Sequence, residues 1–129
     1  MSTRLILFVM ALGGSMTAFG EAMARPHVWD FPQIRDGAYA AALAVEISEK
    51  CPELSVRKVS GISFLMGLKS DAKKQGLSDA EIKADLKEME PKAYELLYAK
   101  GAVKGQPETY CAVGRAEISA NSQIGKLLK

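Results

Sequence analysis

The chain has 129 residues, 48% of them hydrophobic and 25% charged, which fits one ordinary domain and leaves little room for two. With 17 basic against 15 acidic side chains and a formal charge of +2, it lacks the electrostatic footprint of a nucleic-acid binder or of a protein held on an anionic membrane. Its composition is neither low-complexity nor disorder-like.

Residues 1–24 read as a secretory leader. Arg4 supplies the basic start, Leu5 to Gly20 is uncharged and mostly apolar, and Ala22-Met23-Ala24 is a small-x-small cleavage pattern. Cleavage after Ala24 is expected, with Ala18-Phe19-Gly20 as a weaker alternative. An uncleaved anchor competes with this reading. However, Gly13, Gly14, Ser15 and Thr17 interrupt the run, which falls short of the roughly 20 residues a spanning helix needs. No Cys follows it for lipid attachment. Losing Arg4 and Glu21 with the leader leaves 16 basic and 14 acidic side chains on 105 residues. No second stretch of spanning length remains. The expectation is a periplasmic chain without stable membrane insertion.

Residues 25–32 (RPHVWDFP) read as an extended arm ahead of a helical domain at 33–129. His27, Trp29 and Phe31 would pack on the domain, and Trp29 and Phe31 are the candidates for docking on a partner. The first helix runs from Pro32 or Gln33 to Lys50. On it Ile34, Ala38, Ala41, Ala42 and Val45 share a face that Ala40, Leu43 and Ile47 widen. Pro52 drives Cys51 out of helical geometry at its end. A second helix spans about Val56 to Gln75. Gly61, Leu65, Leu68 and Ala72 form one row, Val59, Ile62 and Met66 lie beside it, and Phe64 and Met66 are read as core. Gly76 stops this helix.

Ser78-Asp79-Ala80-Glu81 is a capping box that starts the next helix. Ile82, Leu86, Met89, Ala93, Leu96 and Leu97 hold one phase through Pro91, as one kinked helix or as two that abut. The carboxylates Asp79, Glu81, Asp85, Glu88 and Glu90 read as a solvated face, with Asp79–Lys83 and Glu88–Lys92 as pairs four residues apart. Gly101 ends this segment. Pro107 suits a first helical position, and Cys111, Gly114 and Ile118 then share a face, with Gly114 making room for the end of the first helix. Ser122 caps a last short helix with Ile124, Leu127 and Leu128 inward.

Cys51 and Cys111 are the only cysteines. In an oxidising compartment such a pair reads as one disulfide, closing a loop for which chain entropy gives about 4 kcal/mol. A redox site would more often show C-x-x-C, and zinc needs more ligands than two Cys and the distant His27. The fold class is therefore all-α: a bundle of four to six helices stapled by one disulfide.

The blocks Glu49-Lys50-Cys51-Pro52, Gly61 to Leu65 (GISFL), Gly76 to Ile82 (GLSDAEI), Tyr110 to Ile118 (YCAVGRAEI) and Ser122 to Leu128 (SQIGKLL) resemble a family of small exported proteins of unknown function from alphaproteobacteria related to Rhodobacter. The likeness covers about Ile34 to Leu128. It implies export, a helical domain and paired cysteines, and it brings no activity or catalytic residue.

No catalytic, cofactor or metal constellation is present. There is no G-x-S-x-G, phosphate loop, G-x-G-x-x-G, H-E-x-x-H or C-x-x-C-H, and the one His lies on the arm, away from any nucleophile. Glu46 and Glu117 stand beside the Cys-bearing segments. Buried, they would have raised pKa values; otherwise they reach solvent or pair with Arg35 or Arg115. The reading is a non-enzymatic protein without cofactor that binds another protein of the periplasm, as an accessory subunit or assembly factor. The alternatives are an acid- or stress-activated chaperone, whose carboxylates neutralise at low pH to leave a strongly cationic chain, and a carrier of a small apolar ligand held between helices.

Overall fold

The computed structural model describes residues 24–129, so the leader, except for Ala24, lies outside the described residues. Four helices follow one another: α1, Pro32–Lys50; α2, Lys58–Lys74; α3, Asp79–Ala99; and α4, Pro107–Ser119. A 3-10 turn at Val28–Asp30 precedes α1, and another at Gly125–Leu127 follows α4. Among the described residues there is no strand beyond isolated bridges, and no helix is long and apolar enough to cross a membrane.

Helix α1 is the spine. Its Ala40, Ala41, Leu43, Ala44 and Ile47 are buried against α3, α4 and the C-terminal segment. Alanines along this face let the neighbouring helices approach closely. A close approach is at Gly114, where an added Cβ would overlap Leu54 and come within 2.9 Å of Ile47. Beside it the Cys51–Cys111 disulfide joins the end of α1 to α4, with Cα atoms 5.1 Å apart and both cysteines buried. Gly125 lies directly against the backbone of Glu117, a place no side chain could occupy. Ser122 Oγ accepts the Gly125 N–H (3.0 Å) and seats Ile124, Leu127 and Leu128 in the core.

Helix α2 begins at Lys58 and not at Val56, because the preceding backbone is used elsewhere. Ser55 and Lys129 exchange N–H···O bonds of 2.9 Å, and Arg57 N donates to Leu127 O at 2.7 Å. Helix α3 starts where the capping box places it: Ser78 Oγ accepts from Glu81 N (3.2 Å) and Glu81 Oε1 from Ser78 N (2.8 Å). It is one helix through Pro91. Pro91 is solvent-exposed, so the carbonyl deprived of its usual N–H partner can turn to water, and the cost of an interior proline is reduced.

Several side chains sit differently from the helical pattern. Val59, Ile62 and Met66 are 81%, 59% and 66% exposed, so Met66 is not core, and only Gly61 and Ala72 of α2 are buried. Phe64 is half-buried against the main cluster. Leu65, Val45 and Leu86 are also exposed, and Ile118 faces out at the end of α4. The periodicity is right, but α2 meets the bundle along a narrow strip, and its apolar arc is wider than that strip. Charge pairing differs too: Asp79 pairs across to Lys69 and Lys73 of α2, and Lys92 with Glu95.

Candidate functional site

Two features gather chemistry-bearing residues, a polar clasp and a groove. At the clasp, Asp85 is fully buried within α3. Arg25 donates to both its oxygens, Nη2 to Oδ1 at 2.7 Å and Nη1 to Oδ2 at 3.2 Å. His27 Nδ1 lies 3.0 Å from Oδ1, and the Val28 N–H donates to Oδ2 at 2.9 Å. Arg25 Nε also reaches Glu81 at 3.4 Å. Burial alone would raise the Asp85 pKa, but the Arg25, His27 and Val28 donors outweigh it and hold the carboxyl at about 2. This corrects the reading of Asp85 as solvated surface.

The clasp ties down the arm. Val28 is buried in a second apolar cluster with Ile34, Ala72, Leu77 and Met89, and Trp29 and Phe31 pack half-buried against it. His27 stacks on Trp29 with ring centroids 4.3 Å apart. The arm is thus a folded cover over one end of the bundle and contains a 3-10 turn. Trp29 and Phe31 keep only part of their surface for anything else.

Neither candidate glutamate pairs with Arg35 or Arg115, which are engaged with Asp36 and Glu53. For Glu117, burial opposes the charge, but the Lys100 ammonium at 2.8 Å and the Ser122 hydroxyl prevail, so its carboxyl lies below the ordinary value and not above it. Glu46 is four-fifths buried, its nearest cation being Lys50 at 4.0 Å. Among the described residues no group of three His, Cys, Asp or Glu gathers as a metal site.

The groove runs along α1 between α2 and α3, with a volume of about 700 Å³. Ala38, Ala42 and Val45 of α1 line it, facing Leu65 and Leu68 of α2 and Leu86 and Met89 of α3. Of these, Ala42, Val45, Leu65 and Leu86 are side chains that helical phase assigns to the core and that the fold leaves exposed. Beside it, a second cavity of about 750 Å³ is lined by Tyr94, Tyr98 and Tyr110 together with Glu46 and Glu95, and it reaches the turn before α4 at Gln106 and Pro107.

Over residues 26–129 the chain matches the model of a family of unknown function. It belongs to DUF5333. The match begins at Pro26, so the family's extent takes in most of the clasped arm as well as the helices. No curated protein and no solved structure matches the chain. For this DUF5333 member, the function lies in the chemistry of the site and not in the fold. The groove was missed in the sequence because apolar phase does not reveal whether a face meets a neighbour. Asp85 did leave a signal, since it lies three residues after Ile82 and four before Met89, within the apolar row.

Proposed function

We propose that this DUF5333 protein is a non-enzymatic binding protein that receives an apolar helical segment of a partner protein in the groove between α1, α2 and α3. The carrying observation is the continuity of apolar surface. Helical geometry places Leu65, Ile62, Met66 and Val59 on successive positions around α2, each exposed, so the groove wall continues onto the outer face of the helix. A small ligand is held in a concavity that surrounds most of it, whereas a groove with an apolar shoulder suits a helix laid into it. The shoulder favours a macromolecule over a small carried ligand. An acid-activated chaperone is less well supported, because a clasp carboxyl at about 2 keeps the arm docked through mild acid. The leader pattern of residues 1–24 and the buried disulfide support export to an oxidising compartment such as the periplasm, with cleavage after Ala24.

A photo-crosslinking residue at Ala42, inside the groove, tests the reading in the source cell. The expected result is one discrete adduct that maps to an apolar helical stretch of a single protein and disappears in a Leu86→Asp variant. Crosslinks spread over many proteins, or unaffected by Leu86→Asp, would defeat it. A retained small molecule in native mass spectrometry would transfer the groove to the carrier reading.

A further inference from the structure

The cavity beside the groove shares Glu46 and Tyr94 with it but has a lining of another kind. Tyr94 and Tyr98 lie one helical turn apart on α3 with their rings stacked, centroids 6.4 Å apart. Tyr110 of α4 lines the same space, as do Pro91 and Pro107. Burial, helped by the neighbouring Tyr98 and Glu46, pushes the Tyr110 phenol up, so its hydroxyl stays protonated and able to donate. The charged groups are Glu46 and Glu95 against Lys50 and Lys104, two of each sign. Gln106 adds an amide that both donates and accepts. The Glu46 side chain is 17% exposed, and the Lys50 ammonium lies 4.0 Å from its carboxylate, beyond hydrogen-bond reach. The space measures about 750 Å³, within the range of small-molecule sites.

These features select a chemical class. Balanced charges give no advantage to an anion or to a cation. A wholly apolar ligand would strip water from the carboxylates, the ammonium groups and the amide without replacing the lost hydrogen bonds. Flat tyrosine faces together with two prolines nevertheless require a ligand with an apolar side. A neutral polyhydroxylated ring meets both demands. Its C–H face lies on an aromatic ring, while its hydroxyls, each a donor and an acceptor, meet the carboxylate, the amide and the phenol. We propose that this cavity is a binding site for a neutral saccharide, stacked on Tyr98 and hydrogen-bonded to Glu46 and Gln106. Tyr98 is the platform because it is 41% exposed, whereas Tyr110 is buried and the Tyr94 hydroxyl is spent on Glu90 at 3.1 Å. The site goes beyond the helix-receiving groove and does not depend on it.

Amide NMR spectra of the full chain, labelled with nitrogen-15, are followed as cellobiose, maltose or N,N′-diacetylchitobiose is added. Cellobionate and the free diamine of chitobiose serve as anionic and cationic counterparts. At least one neutral disaccharide is expected to bind with a Kd of about 0.1–10 mM, shifting amides around Tyr98 and Gln106. The charged counterparts should bind about fivefold more weakly or worse. Tyr98→Ala should weaken binding by about tenfold, and Tyr98→Phe, which keeps the ring, by no more than about twofold. Glu46→Gln should weaken it by about threefold. Leu86→Asp, in the groove, should leave the titration as in wild type. Unchanged thermal midpoints establish that the variants fold. If Tyr98→Ala does not fold, Gln106→Ala in the exposed turn carries the test, with a loss of about threefold. Absence of shifts with all three neutral sugars at about 50 mM, well above the expected Kd, overturns the proposal. So does tightest binding by a charged counterpart, or an affinity that survives Tyr98→Ala or, in its place, Gln106→Ala.

Discussion

Asp85→Asn isolates the charge at the clasp while keeping the size of the side chain and one acceptor for the Val28 N–H. The carboxyl sits at about 2, against 3.8 for an unperturbed aspartate. By linkage this difference corresponds to at most about 2.5 kcal/mol at neutral pH. Arg25 is one-third exposed, so solvent screens part of the pairing, and about 1–2 kcal/mol is the expected loss. Because the folded pKa is depressed, the stabilisation is fully present above the unfolded value near 4. It disappears as pH falls through about 2. Urea unfolding of wild type and Asp85→Asn at a series of pH values measures it directly. At pH 7 the variant should lie lower by the stated amount, about 5–10 °C in thermal midpoint for a domain of this size. The gap should narrow between pH 4 and pH 2. A gap that is absent at pH 7, or that stays constant down to pH 2, would refute the account of the clasp as a charge-held contact.

Removing the staple by Cys51→Ser with Cys111→Ser should cost about 3–4 kcal/mol in the same unfolding assay, as reduction of the wild type should. Gly114→Ala, whose methyl meets Leu54 and Ile47, should destabilise by about 1–3 kcal/mol. Gly67→Ala on α2, where nothing stands within 4 Å, should instead stabilise by about 0.5–1 kcal/mol. Calorimetry of the pair checks the opposite signs. Ser78→Ala should cost about 1 kcal/mol by removing the acceptor for Glu81 N, and hydrogen exchange at the first turn of α3 should speed up.

Local chemistry was legible because its physics is local. Ser78 and Glu81 satisfy one another across three residues, Pro107 opens α4 where its missing N–H does no harm, and Cys51 with Cys111 had one possible connectivity. What stayed hidden depends on which helix stands next to which. Met66 and Ile62 have the same periodicity whether a neighbour covers them or not. Asp85 looked like its charged neighbours because its partners, Arg25 and His27, come from some 60 residues away. Glu46 was singled out for its apolar surroundings, and that reasoning pointed to the junction of groove and cavity without revealing either.

The apolar interior is divided along α1. The cluster around Cys51, Ile47 and Leu128 is closed by a covalent bond, whereas the one around Val28, Leu77 and Met89 is held by packing and by the arm, without a disulfide. Cooperative opening therefore has a preferred end. Amide protons near Leu77 and Met89 should exchange through a partial unfolding that leaves the Cys51 end intact. The groove spans both regions, from Ile34 to Glu49, and its walls α2 and α3 are joined at the arm end by the turn at 75–78 and by Asp79 with Lys69 and Lys73. A docking helix would therefore meet two walls tied together beneath the arm and separate at the Glu46 end.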